Sequence, residues 1–409
     1  MEEFDYGIIG GGPAGYTAGM MLAKQGKSVI LFEKDKLGGT CLNKGCIPTK
    51  SFMHLSEVYS EMLKASTYGI SAENISLDFS KIIEKKNQTV ERLRKSLELA
   101  VKNSGVNVNY FEACIKDRNT ISANDNEYKV KKIILATGSK PREIKGLEFD
   151  GKFILNSDDV LKLEKLPHSV LIVGSGAIGI EWARIFSNFG TEVVIVEMAE
   201  HLIPQADIDV SKRIERIFKQ KKIQFFLNDC IEKIENQSVT LKSGKVFNPD
   251  FVLVAAGRTP VCPDCDCKTI LGDACGEVQL AHYAIHQAKT EAMGIPFDKK
   301  LVPAVIYGEP ELAWVGLREQ DADDSYTKST LPITALGKAW CDDCTDGFIK
   351  VITKNDKIFG VHIVSKEASS LIHILLTAMQ NNILIKDIQK VCFAHPTYAE
   401  GLFDILIGL

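Results

Sequence analysis

FDYGIIGGGPAGYTAGMMLAKQGKSVILFE, residues 4–33, and SVLIVGSGAIGIEWARIFSNFGTEVVIVE, residues 169–197, are two copies of one pattern. Each runs from an apolar strand through three glycines into a helix, then into a second apolar strand that ends in an acid. The glycines are Gly10, Gly12 and Gly15 in the first copy and Gly174, Gly176 and Gly179 in the second. The acids are Glu33 and Glu197, each 23 residues beyond its first glycine. Two βαβ units are predicted, and with them an α/β chain on parallel sheets.

The glycines carry the chemistry of such a unit. The first permits the tight turn, the second lets backbone approach a pyrophosphate, and the third lets helix and strand pack closely. Helix N-terminal amides hold the phosphates, and the terminal acid accepts hydrogen bonds from a ribose diol. A lone glycine motif is weak, but each of these lies between strand and helix with its acid near the expected offset. After Glu197 come Met198, Ala199, Glu200 and His201. No arginine stands there to meet a 2′-phosphate, so the second nucleotide is expected to be NAD.

Composition excludes several other classes. The 409 residues are 45% hydrophobic and 25% charged, with a net charge of −4, which suits a soluble globular chain of two or three domains. That charge leaves no footprint for nucleic acid. The uncharged run Tyr6–Ala23 is interrupted by six glycines and a proline, and acidic MEEFD precedes it, so neither a membrane helix nor a signal peptide is expected. A cytoplasmic setting follows, in which an intracellular disulfide is more often catalytic than structural.

That setting bears on GGTCLNKGCIPTK, residues 38–50, with Cys41 and Cys46 separated by four residues. Gly38, Gly39 and Gly45 let backbone pass close to a flat ligand, and Pro48 fits a first helical turn. Cys46 would then sit at a helix N-terminus, where the dipole stabilises a thiolate. Two reduced, merely buried cysteines are the bland alternative, and zinc lacks two further nearby ligands. Elsewhere, helices are expected over 50–65 and 80–103, and buried strands in KKIILATGSKP (131–141) and DFVLVAAGRTP (250–260), each entering a glycine turn. From about residue 302, short strands such as GFIKVIT and KIFGVHIV precede helices, an α+β pattern.

GGGPAG with Glu33, GGTCLNKGCIPTK, ATG at 136–138, GSGAIGIE, GD at 272–273 with LAH at 280–282, and FAHPTYAEG together resemble the flavoprotein disulfide reductases over nearly the whole chain. CLNKGCIPTK and HPTYAE are most similar to the dihydrolipoamide dehydrogenase branch of that family. The resemblance implies two Rossmann-like FAD/NAD(P)-binding domains plus a C-terminal α+β dimerisation domain. The FAD-binding part would be 1–142 with 261–301, the NAD-binding part 143–260, and the interface part 302–409.

It also implies roles. FAD would occupy the first fold, touched by Gly10, Gly12, Gly15, Glu33, Thr137, Gly138, Asp273 and Ala281. NAD would lie at Gly174, Gly176, Ile178, Gly179, Glu197 and Gly257. Cys46 would be the charge-transfer thiol against the isoalloxazine and Cys41 the interchange thiol, disulfide-bonded when oxidised. Lys50 and Glu181, which by themselves read as surface charges, would lie beside the flavin. His395, otherwise a loop histidine before proline, would accept the dithiol proton across a homodimer interface, oriented by Glu400. The substrate would be lipoyl domains of 2-oxo acid dehydrogenase or glycine cleavage complexes.

Departures accompany the likeness. Between Gly257 and Asp273 the family has a longer stretch with a strand hairpin, which puts FAD retention in question. The helix after LAH is shortened, and Phe393 stands where the family often has histidine. CVNVGC-type glutathione and trypanothione reductases and mercuric reductase, with its C-terminal cysteine pair, fit less well. A redox-sensing paralogue without catalysis is the alternative from another class. Cys262, Cys265 and Cys267, with Cys341 and Cys344, are expected in exposed loops rather than at a metal. Cys114, Cys230, Cys275 and Cys392 carry no motif and are expected to be packing residues.

Overall fold

The computed structural model describes residues 2–263 and 269–408, so Cys265 and Cys267 lie outside the described residues. The first repeat forms the strand Glu3–Ile9, the helix Pro13–Lys24 and the strand Val29–Phe32. Pro13 opens the helix, as its fixed φ and missing N–H allow. All four residues of VILF are buried, the mark of a strand covered on both faces. The sheet continues on one side to Asn107–Asn109 and on the other to Asn126–Leu135, all in parallel. An antiparallel extension, Thr120–Ala123 and Ala113–Asp117, completes that edge.

The second repeat forms an all-parallel five-stranded sheet ordered Gln224–Phe226, Glu192–Val196, Ser169–Val173, Phe251–Val254 and Ile154–Leu155. Its helix Ala177–Asn188 packs Ile180, Trp182, Ile185 and Phe186 into a core that also holds Phe52 and Met53 of the helix Cys46–Leu63. The two halves therefore share apolar contacts. Truncating a fully buried member such as Ile172 or Ile180 costs about 2–5 kcal/mol.

The glycines do what the repeat requires. Gly10 has φ 106°, and a Cβ there would stand 2.2 Å from the carbonyl oxygen of Ala136; at Gly174, φ 97°, the corresponding atom is Ala255 O at 2.8 Å. A Cβ on Gly15 or Gly179 would fall 1.8 or 2.0 Å from the carbonyl oxygen of Gly10 or Gly174. The ATG and AAG turns are thus the walls against which the first glycine of each repeat is pressed.

The expected helices are Cys46–Leu63 and Phe79–Asn103, the latter capped by Asp78, which accepts from the Lys81 N–H. Two short strands, Ser139–Pro141 and Arg258–Pro260, form an antiparallel ribbon between the sheets. After the shortened segment, Thr269–Ile270 pairs in parallel with Ile134–Leu135 and delivers Gly272–Cys275 to the first sheet. Two residues of strand thus return the chain to the first sheet.

The last part is a five-stranded antiparallel sheet ordered Ala304–Ile306, Glu311–Gly316, Lys357–Ser365, Phe348–Lys354 and Thr327–Pro332. The helices Ala368–Gln380 and Glu400–Ile407 pack on it through Leu371, Ile372, Leu375, Leu402, Ile405 and Leu406. Lys350 ties this sheet to the second repeat. Its ammonium, 1% exposed, lies 2.7 Å from fully buried Asp207, with Asp209 and Glu319 also bonded to it. These three carboxylates are the one acidic cluster of metal-site size among the described residues, and a lysine fills it.

Candidate functional site

A cleft of about 1920 Å³ runs from the first repeat to the helix Ala368–Gln380. Ordinary small-molecule pockets are about 300–1,000 Å³, so this one has room for an extended cofactor. Its walls include Gly10, Gly12, Glu33, Cys41, Cys46, Lys50, Thr137, Gly138, Ile178, Glu181, Asp273 and Ala281. Gly15 lies behind the wall, against Gly10. The Glu33 carboxylate accepts from the N–H groups of Gly11 and Asp35, both at 2.8 Å, which fixes it at the strand end.

Asp273 accepts a hydrogen bond from Ser139, whose hydroxyl also accepts from Arg258 Nε at 2.7 Å. Thr137 donates to the carbonyl of Val261. These bonds hold the chain on either side of the shortened segment in the cleft wall. Gly39 and Gly12 meet so closely that a Cβ on Gly39 would stand 2.7 Å from the Cα of Gly12. The first fold thus presents a bare backbone cradle with the carboxylates of Glu33 and Asp273 on the cleft wall, and these residues fit FAD.

Gly174, Gly176, Gly179, Glu197 and Gly257 lie outside this cleft, at the second sheet. Glu197 accepts from the Ser175 N–H and hydroxyl, both at 2.7 Å, and from the Ala199 N–H at 2.9 Å. A Cβ on Gly176 would meet nothing within 4 Å, so the loop is open on the side where a pyrophosphate would approach. Ile178 and Glu181, on the helix that follows, reach the cleft from this side.

The cysteines stand where the two halves meet. Cys41 lies in the helix Gly39–Lys44 and Cys46 opens the next helix, with Gly45 as its cap. Both are free thiols here, the dithiol form of the expected disulfide, and Cys41 donates its S–H to Cys46. That bond, helped by Lys50 and opposed by burial and by Glu181, lowers the Cys46 thiol to about 7. The same bond and burial push Cys41 far up. Cys46 is therefore the thiolate of the pair and Cys41 carries the proton.

Lys50 follows Cys46 by one helical turn. Its Nζ donates to both oxygens of Glu181, at 2.7 and 2.9 Å. Burial pulls the Lys50 pKa down, but Glu181 and Cys46 outweigh it and the net direction is up, so the ammonium persists. Tyr307 covers it, with the ring centroid 4.7 Å from Nζ and its N–H donated to Glu181 at 3.2 Å.

His395 and Glu400 pair with each other, Nδ1 to Oε1 at 2.8 Å, and the Thr397 N–H donates to the other Glu400 oxygen at 2.7 Å. These bonds, the Thr397 one first, lower the Glu400 pKa. With Nδ1 engaged, Nε2 is the free nitrogen. The His395 side chain is 77% exposed and does not line the cleft of its own chain.

Some expectations need correction. Cys114 and Cys392 are exposed rather than packed, and Cys114 lies on the rim of the cleft, because neither sits on a core-facing position of its segment. Cys230 and Cys275 are half-buried. Cys262 is exposed in a loop as expected, Cys341 is exposed but ends the helix Gly337–Cys341, and Cys344 is half-buried and donates to Glu309 at 2.9 Å. Sequence reasoning missed Ser139, Arg258 and Tyr307. Ser139 and Arg258 lie in the stretches 131–141 and 250–260, just past their glycine turns, but each of the three acts through contacts more than 100 residues away.

Two dinucleotide folds that converge on a paired dithiol define a two-cofactor thiol–disulfide oxidoreductase. Comparison with known proteins agrees. Residues 4–269 match the family described as pyridine nucleotide-disulphide oxidoreductase, and residues 302–404 match its dimerisation domain. A dihydrolipoyl dehydrogenase of Bacillus subtilis is 32% identical over 464 residues, covering 99% of this chain and 98% of the relative. One of Mycoplasma genitalium is 31% identical over 446 residues, with 98% of both chains covered. These alignments are longer than the 409 residues here, so the relatives carry segments that this chain lacks.

Among solved structures, LpdA from Mycobacterium tuberculosis superposes with a TM-score of 0.91 at 21% identity, covering 100% of this chain and 99% of that one. The HOCl-induced flavoprotein disulfide reductase RclA from Escherichia coli gives 0.86 at 25% identity, with 99% of each chain covered. The chain belongs to the pyridine nucleotide-disulphide oxidoreductase family. Its cofactors are FAD and NAD, and its dimerisation domain makes it a homodimer. No helix among the described residues is long and apolar enough to cross a membrane.

Proposed function

We propose that this protein is a dihydrolipoyl dehydrogenase, which oxidises protein-bound dihydrolipoamide to lipoamide and reduces NAD+ to NADH. The carrying observation is the paired cysteines of the cleft wall: Cys41 and Cys46 side by side, with Lys50 one turn after Cys46 and held by both oxygens of Glu181. The full-length likeness to dihydrolipoyl dehydrogenases supports the substrate class.

In the oxidised protein, one thiolate of the dihydrolipoyl group attacks the Cys41 sulfur. The Cys41–Cys46 bond breaks and Cys46 leaves as a thiolate, favoured by its lowered pKa and by the Lys50 ammonium. The second substrate thiol, deprotonated by His395 Nε2 of the partner subunit, attacks the mixed disulfide and releases lipoamide and Cys41. Two electrons have then passed from the substrate to the protein; the proton taken by His395 goes on to the Cys41 sulfur, and that of the first substrate thiol was released to solvent when it ionised. FAD, held by the first fold, supplies the electron relay between this dithiol and NAD+. Glu400 holds His395 Nδ1 so that Nε2 faces outward as the base. The partners in this reading are lipoyl domains of 2-oxo acid dehydrogenase or glycine cleavage complexes, in the cytoplasm.

Steady-state assay of NAD+ reduction with free dihydrolipoamide, and then with a lipoylated carrier domain, tests this. Turnover with both supports it; a flavin-loaded dimer inert to both contradicts it.

A further inference from the structure

Three residues beyond Glu181 on the same helix stands Arg184, 1% exposed. Its Nη1 donates to the carbonyls of Tyr307 at 2.9 Å and Pro310 at 2.8 Å, so one guanidinium nitrogen spans both ends of that turn. Gly308 lies between them at φ 124°, where a Cβ would stand 2.4 Å from Nη1 and 2.5 Å from the Arg184 Cδ. The turn is shaped around the arginine. Nε and Nη2 find no hydrogen-bond partner among the described residues, and burial lowers the guanidinium to about 10, against the pull of Glu181, Glu57, Glu311 and Glu309. A charge buried with two donor groups unsatisfied is costly, and simple packing does not require it.

What it holds is the other face of the Lys50 pair. Tyr307, whose carbonyl Arg184 fixes, gives its N–H to Glu181 and lays its ring over Lys50. Cys46 is faced by Cys41, by Lys50 from its own helix, by Glu181 from the Arg184 helix, and by Tyr307. We infer that Arg184 is a positioning residue for the Cys46 thiolate: it fixes the Tyr307–Pro310 turn, which in turn fixes the Glu181–Lys50 pair against the sulfur. The inference rests on the reading of Cys46 as the leaving thiolate.

The test follows alkylation of Cys46 by iodoacetamide against pH, in intact reduced protein that keeps Cys41, with each cysteine resolved by peptide mass spectrometry. The parent should titrate near neutrality. Arg184→Met should alkylate Cys46 about tenfold more slowly at pH 6, because a midpoint one unit higher leaves a tenth of the thiolate. Arg184→Lys should recover part of that rate, and Tyr307→Leu, which keeps the arginine and both backbone hydrogen bonds and removes only the ring over Lys50, should slow alkylation less than Arg184→Met does. Flavin absorbance and melting temperature report whether each variant is folded. If Arg184→Met fails to fold, Arg184→Lys decides, because a single ammonium on a shorter side chain holds the two turn carbonyls less well and should still raise the midpoint. An unmoved profile in folded variants overturns the positioning role, whereas an ordinary thiol midpoint in the parent overturns the reading of Cys46 itself.

Discussion

Lys50 and Glu181, 131 residues apart in sequence, are joined by a 2.7 Å ion pair that links the helix behind the redox cysteines to the helix of the second glycine repeat. Glu181 is 5% exposed at its side chain and Lys50 31%, so the pair is only weakly screened. It places a permanent cation next to Cys46.

The first prediction concerns that cation. Cys46 has a folded pKa lowered to about 7, so its thiolate is present above pH 7 and is lost as pH falls through it. A long-wavelength absorption band of the two-electron-reduced, flavin-loaded protein should fade over the same range. Lys50→Met should move the fade upward by about one pH unit, the lower end of what a close opposite charge provides. Spectra recorded anaerobically from pH 5 to 9 check it, and a Cys46→Ser protein that keeps the band would show that another group produces it.

His395 and Glu400 should separate by severity. His395→Ala removes the base and should cut dihydrolipoamide oxidation by about 10²–10⁴-fold with FAD content intact. Glu400→Gln loses the carboxylate on Nδ1 but can still hydrogen-bond, so partial activity is expected. Mixing His395→Ala with Cys41→Ser subunits should restore activity through heterodimers with one intact site. Demonstrated heterodimers without recovery would place base and disulfide on one chain.

Nucleotide choice follows from Glu197. Fixed by Ser175 and Ala199, its carboxylate would meet the 2′-phosphate of NADP with like charge. A kcat/KM for NAD+ at least about tenfold above that for NADP+ is expected, equivalent to about 1.4 kcal/mol. Equal values would remove Glu197 from that role.

Stability should respond at Lys350. Lys350→Met leaves Asp207 buried beside two further carboxylates, and losing one partner of a buried pair costs about 3–5 kcal/mol. For Asp207, burial raises the pKa but His362, Lys350 and the Glu319 N–H outweigh it, so the net direction is down. A lowered carboxylate stabilises the fold above its unfolded pKa and loses that contribution as pH falls through the folded value. Denaturant unfolding at pH 7 and pH 3 should show the gap between wild type and Lys350→Met narrowing in acid.

Much of this was legible in the sequence because the repeats are local. Gly10, Gly12, Gly15 and Glu33 lie within one βαβ unit, so their spacing alone specifies the turn, the helix start and the acid at the end of the second strand. Cys46 at a helix start was likewise readable from Gly45 and Pro48. The Arg184–Tyr307 contact was not, since an arginine in GIEWAR reads as an outward charge until residue 307 folds over it. Cys114 and Cys392 misled for the opposite reason. Cysteine is usually buried, but these two lie in segments whose apolar positions fall elsewhere. The shortened stretch before Asp273 put flavin binding in question, yet Thr269–Ile270 and the Ser139 hydrogen bond still bring that aspartate to the cleft.

The most direct measurement is an absorption spectrum of the purified dimer before and after anaerobic addition of dihydrolipoamide, followed by NAD+. Oxidised flavin absorbance should fall, a long-wavelength band should rise with the Cys46 thiolate, and NAD+ should then discharge it with stoichiometric NADH. A flavin-loaded protein whose spectrum is unchanged by dihydrolipoamide, while NADH still bleaches it, would contradict the assignment of Cys41 and Cys46 as the substrate-facing dithiol.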